Sequence, residues 1–183
     1  MKMGRLRMKA QDWVDYKVAT RVVARIHEAS TNDEPFLLTF SGIWPHDPNF
    51  VPEPYYSMYH PDSIDLGNQQ LPEQRFENSW SRQMVKGYGE KGLREYKRIY
   101  YATVSYIDAQ VGRILAALEE AEELDETIVI FTTDHGDMIG NRQMVWKSNR
   151  SFYDELTHIP FLIRYPEVFE PGTVSSVFAS QVD

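Results

Sequence analysis

The sequence predicts an α/β layer protein. Two segments carry apolar residues at helical spacing and three short runs are β-branched or aromatic; they follow one another as helix, strand, excursion, helix, strand, loop, strand. With 183 residues, 42% of them apolar, the chain is long enough to build one hydrophobic core.

The first helix is expected over residues 12–29, where Val14, Val18, Val22 and Ile26 recur every fourth position and Arg21, Arg25 and Glu28 fill the other face. Such a stripe should lie on a sheet. A polar turn, Thr31-Asn32-Asp33-Glu34-Pro35, leads to Phe36-Leu37-Leu38-Thr39-Phe40-Ser41, a run that reads as a buried strand ended by Gly42. Periodicity then vanishes over residues 43–92, where Pro45, Pro48, Pro52, Pro54, Pro61 and Pro72 interleave with Tyr55, Tyr56, Tyr59 and Trp80. A stretch of that length without a repeating pattern is expected to be a functional surface excursion that returns to the same core.

The second helix is marked by Tyr96, Tyr100, Val104, Ile107, Val111, Ile114, Leu115 and Leu118. It closes in an acidic run from Glu119 to Glu126 that reads as a solvated surface. Next comes Thr127-Ile128-Val129-Ile130-Phe131-Thr132-Thr133, with the composition of a central strand covered on both faces. A third strand is expected over residues 159–165, with Pro160 at its start.

Lys and Arg total 19 against 27 Asp and Glu, a formal net charge of −8, which opposes a general nucleic-acid or anionic-membrane surface. The absence of cysteine excludes disulfides, thiolate metal sites and a cysteine nucleophile from this chain, but fixes no compartment. No apolar run is long enough to span a bilayer, and no apolar segment of an export signal follows the basic residues Lys2, Arg5, Arg7 and Lys9.

In open α/β sheets, ligand-binding groups gather beyond the carboxyl ends of the strands. Two positions satisfy that rule. Asp134-His135-Gly136 follows the strongest strand; its carboxylate and imidazole could enter a divalent-metal shell, and the same tripeptide also suits a turn that closes a strand. His46, in Trp44-Pro45-His46-Asp47-Pro48, suits a proton donor or anion contact, or an exposed loop histidine. Lys147 could neutralise an anionic substrate or simply be solvated. His27, His60 and His158 read as structural, and Tyr153-Asp154-Glu155 as a brace for the site loop.

Taken in order, the segments resemble the sulfatase family of the alkaline-phosphatase superfamily. The matching residues run from Pro35-Phe36-Leu37-Leu38 to Pro45-His46-Asp47-Pro48, through Tyr100-Tyr101-Ala102 and Val111-Gly112-Arg113-Ile114-Leu115, to Thr133-Asp134-His135-Gly136-Asp137, then Lys147 and Tyr153-Asp154-Glu155. The resemblance implies an α/β fold that forms part of a mostly parallel sheet flanked by helices. It identifies the chain as part of a catalytic domain, with residues 43–92 as a long insertion.

The resemblance also implies roles. Asp134 and His135 correspond to two ligands of a single divalent cation, calcium first, with magnesium or manganese as alternatives; His135 stands where some relatives carry Asn, and imidazole is less typical of calcium's oxygen shells. His46 corresponds to the histidine that contacts the sulfate and assists the leaving oxygen, Lys147 to the lysine that holds a sulfate oxygen. Family members convert the first residue of a Cys-or-Ser-x-Pro-x-Arg segment to formylglycine, the nucleophile when hydrated; this chain contains neither version. The implied activity is therefore metal-dependent hydrolysis of a sulfate ester of a small molecule or sugar by an intact enzyme whose compartment is left open, periplasmic and secreted among the options, with the isolated chain an inactive internal fragment. A phosphonate or phosphate ester hydrolase of the same superfamily is the alternative, and a non-catalytic remnant that binds a sulfated ligand is another. Uncovered sheet edges predict self-association.

Overall fold

The computed structural model of the chain describes residues 3–32, 34–70, 80–147 and 152–182, with the side chains of residues 80–82 outside the description. Asp33 of the expected turn, Pro72 and the indole of Trp80 therefore lie outside the described residues. Among the described residues three α-helices, α1 (Val14–Asn32), α2 (Trp80–Glu120) and the single turn α3 (Asp154–Thr157), combine with four short strands, β1 (Met3–Arg5), β2 (Asn49–Val51), β3 (Val129–Thr132) and β4 (Phe161–Arg164). β1 pairs with β2 in parallel, Met3 opposite Asn49 and Arg5 opposite Val51. β3 pairs with β4 antiparallel, Val129 opposite Arg164 and Thr132 opposite Phe161.

α2 is the spine of the molecule. Its middle packs Ile99, Ala102 and Tyr106 against Trp44 and Val51, and its end packs Ala117 and Leu118 against Ile26 of α1. Gly89, at φ 61° and ψ −178°, interrupts the helical path near its start; L side chains rarely adopt that backbone. At the other end Glu122 takes a left-handed conformation, and the N–H groups of Glu122 and Glu123 donate to the carbonyls of Glu119 and Leu118. That pattern satisfies the last carbonyls of the helix without a glycine.

Several expectations are corrected. α1 lies on α2 rather than on a sheet, with Phe36, Leu38 and Val129 completing that cluster. Its buried face runs through Asp15, Ala19 and Ile26, and Val14 is exposed, because the helix is turned to bring Asp15 inward. On α2 the buried line runs through Tyr96, Ile99, Thr103, Tyr106 and Gln110, which leaves Val104 at the surface. Residues 36–41 form no strand: Phe36, Leu38 and Phe40 are half-buried, while Leu37 is 95% exposed. Alternate burial without a ladder partner covers one face of the segment. β3 occurs as expected, but Ile130 and Phe131 are exposed, since β4 is its one neighbour among the described residues. The excursion does return to the core, contributing β2 and the buried Trp44, Val51 and Ile64, with Tyr55, Tyr56 and Tyr59 packed beside them.

Candidate active site

His46 is placed from beneath. In the first turn of α1 the Asp15 carboxylate accepts from the Trp13 indole N–H at 3.0 Å, from the Ile43 N–H at 2.7 Å and from the Trp44 N–H at 3.5 Å. The Trp44 ring stacks on Trp13 with centroids 4.4 Å apart and meets the Tyr106 ring edge-on at 4.8 Å. The loop closes when the His46 N–H donates to the Ile43 carbonyl at 3.0 Å.

The His46 ring reaches out of this loop. Its Nδ1 lies 2.7 Å from the Asp47 carbonyl and its Nε2 lies 3.3 Å from Lys147 Nζ. A carbonyl can only accept and an ammonium can only donate, so the partners assign the proton to Nδ1 and the lone pair to Nε2.

Asp134 and His135 stand just past the end of β3. Asp134 Oδ1 accepts from the His135 N–H at 2.9 Å, and Asp134 Oδ2 is 3.6 Å from His135 Nε2. His135 Nδ1 lies 2.7 Å from the Gly136 carbonyl, which places the ring proton there and leaves the Nε2 lone pair on the Asp134 side. Two donor atoms bound to one cation at about 2.4 Å each and roughly a right angle would sit about 3.4 Å apart, so the pair fits a shared metal ion. Among the described residues no third His, Cys, Asp or Glu joins them to make a metal-holding group.

Gly136 then presses the chain onto α3. Its N–H donates to the Leu156 carbonyl at 2.9 Å, and a Cβ at this position would fall 2.0 Å from the Glu155 carbonyl oxygen. No side chain can occupy that position without moving backbone.

Asp137 organises the loop that leads to Lys147. Its Oδ1 accepts from the Tyr96 hydroxyl at 3.1 Å and from the Ile139 and Trp146 N–H groups at 2.8 and 3.1 Å. Burial pushes its carboxyl above the ordinary range, and these three donors act in the opposite direction. The Met138 N–H donates to the Trp146 carbonyl at 3.1 Å, so the loop doubles back and returns Lys147 alongside Asp137. Met138 and Met144 bury their side chains with Leu156 beneath the loop. Arg142 lies over the Tyr153 ring at 4.5 Å and pairs with Glu155 at 3.5 Å. The Tyr153-Asp154-Glu155 segment thus acts as the brace its sequence predicts.

The four candidates therefore form two direct pairs, His46 with Lys147 and Asp134 with His135, joined through Asp137 and Trp146. Reading the sequence alone misses Asp15, Tyr96 and the special role of Asp137. A signal for Asp15 was present: it is an acidic residue on the same helical face as Ala19 and Ile26, where an apolar side chain is expected. The remaining histidines stay outside the cluster; His27 is exposed on α1, His60 accepts from the Asp62 N–H at 3.3 Å, and His158 ends α3.

The sulfatase family profile matches residues 8–183. The chain belongs to the sulfatase family. It is 32% identical to an uncharacterized sulfatase, YidJ, of Escherichia coli over 158 residues, 83% of this chain and 31% of that protein. It is 34% identical to an arylsulfatase of Clostridium perfringens over 152 residues, 79% of this chain and 31% of that one. A phosphonate monoester hydrolase structure from Silicibacter pomeroyi superposes with a TM-score of 0.71 at 23% identity, over 90% of this chain and 35% of the other, a likeness of fold alone. This sulfatase chain has an α/β architecture and spans about a third of the length of the curated relatives it matches. Among its described residues no helix is long and apolar enough to cross a membrane.

Proposed function

We propose that this chain supplies part of the active site of a sulfuric ester hydrolase. The observation that carries the reading is the contact between His46 and Lys147, which come from loops far apart in sequence; the Lys147 loop follows the carboxylate–imidazole pair Asp134–His135 in the chain and is tied back to Asp137 through the Trp146 N–H. Sulfate ester cleavage builds negative charge on the sulfate oxygens and on the departing oxygen, and groups that meet this charge without rearranging lower the barrier most. Lys147 offers three donors at a fixed positive centre. When a sulfate oxygen takes those donors, His46 Nε2 is released from Lys147 and, once protonated, hands its proton to the leaving oxygen.

Asp134 and His135 would hold part of a divalent cation's shell, and calcium, magnesium and manganese are the candidates. Such an ion supplies Lewis-acid stabilisation to the sulfate oxygens. The formylglycine that the family resemblance implies has no precursor in these 183 residues, since the sequence has no cysteine and no Ser-x-Pro-x-Arg segment. The 183 residues are then one part of a catalytic domain whose substrate is a sulfated sugar or small molecule. The test is hydrolysis of an aryl sulfate by the intact enzyme and by the 183-residue chain. Turnover by the first and none by the second is expected; robust turnover by the isolated chain would contradict the division of labour.

A further inference from the structure

We propose that Asp15 is a positioning residue for His46; the proposal rests on the reading of His46 as a group that acts at the sulfate ester. Asp15 is 0% exposed. Burying a carboxylate costs free energy unless it is well paired, and a pairing with a cation is the usual remedy. Here the hydrogen-bond donors are the neutral N–H groups of Trp13, Ile43 and Trp44. Asp15 stands in the first turn of α1, where a negative charge suits the helix dipole, yet these three donors lie outside that helix.

What its oxygens do hold is the start of the His46 loop. Oδ1 takes the Ile43 N–H and Oδ2 the Trp44 N–H, while the Ile43 carbonyl accepts from the His46 N–H. Every link from the carboxylate to the histidine backbone is therefore a hydrogen bond or a peptide bond. The same Trp13 that orients Oδ2 stacks beneath Trp44, so the group that aims the carboxylate also floors the loop. Lys147 is set independently, through Asp137 and Trp146. The 3.3 Å approach of His46 to Lys147 thus depends on two carboxylates, the buried Asp15 and the half-buried Asp137, one under each loop, and Asp15 is the one farther along the chain from the Asp134–His135 pair.

The test is a mutant cycle read by histidine side-chain ¹⁵N NMR on the whole 183-residue chain. Lys147→Met is compared in two backgrounds, unmutated and Asp15→Ala. In the unmutated chain, loss of the ammonium shifts the His46 Nε2 resonance; in the Asp15→Ala background that response is lost, while His27, His60 and His158 keep their resonances. An unchanged response in folded Asp15→Ala overturns the proposal. Should Asp15→Ala not fold, Asp15→Leu, of similar size and with no acceptor, takes its place with the same two outcomes. Hydrogen exchange on the unmutated chain gives a reading free of any variant: slow exchange of the Ile43 and Trp44 amides supports the proposal, and exchange as fast as that of the exposed Ser41 overturns it. Because none of these readouts is turnover, a failure of sulfate ester hydrolysis and a failure of the positioning would be seen separately.

Discussion

Lys147 Nζ stands 3.3 Å from His46 Nε2 across 101 residues of sequence. Both side chains are exposed, so neither is held there by burial, and the approach is a product of the two loops that carry them. Replacing either with Ala in the intact enzyme should lower kcat/KM for an aryl sulfate by about 10²–10³-fold while hardly moving the melting temperature. Groups that act as a unit are not additive, so the double variant should lose much less than the product of the single losses. Steady-state kinetics with parallel thermal melts check both statements.

Two glycines should respond with opposite signs. Gly136→Ala drives a methyl into the Glu155 carbonyl and should destabilise the chain by about 1–3 kcal/mol. Gly112→Ala meets open space inside α2 and should stabilise by about 0.5–1 kcal/mol. Urea unfolding midpoints of the two variants decide the matter.

The difference between those glycines shows what a sequence can and cannot reveal here. Residues of the site were legible because their chemistry is local: a carboxylate, an imidazole and a glycine directly after a β-branched run, and a histidine between prolines. The helices α1 and α2 were legible from spacing. The inward side of α1 was legible through Val22 and Ile26, which pack as their spacing predicts, but the burial of Asp15 in place of Val14 was not, because two of the donors that justify it lie 28 and 29 residues away. The expected strand over residues 36–41 failed for a related reason. Its composition suits a strand, but a strand exists only when a second one offers hydrogen bonds, and no run of residues encodes its neighbour. Tyr96 looked like one more member of an aromatic stripe, and its hydroxyl is what matters.

That hydroxyl gives the third prediction. Tyr96→Phe removes one of three donors to the half-buried Asp137 carboxylate and should cost about 1.5–3 kcal/mol, the range for a hydrogen bond to a charged group. Chemical denaturation measures the cost, and a change near zero would mean that Asp137 does not rely on Tyr96.

Lys97 supplies a pH signature. It is 3% exposed, and burial pushes its ammonium below the ordinary lysine value, with the Asp65 charge opposing the shift. Between the lowered folded value and the ordinary value near about 10.4 the unfolded chain binds more protons, so the Lys97 contribution to stability rises with pH across that window. Lys97→Met keeps most of the stem and abolishes the effect. The variant should be at least as stable as the parent at pH 7, and its margin should shrink as the pH approaches 10. Unfolding midpoints taken at several pH values follow the margin directly.

Whether these loops serve sulfate ester hydrolysis is decided most directly by the kcat/KM ratio for an aryl sulfate against the matching phosphonate ester, on the intact enzyme and its Lys147→Ala variant. The sulfate should be preferred, and the variant should lose that activity by at least about 10²-fold. Preference for the phosphonate ester, or an unchanged sulfate rate in the variant, would overturn the assignment of Lys147 and His46 to the sulfate group.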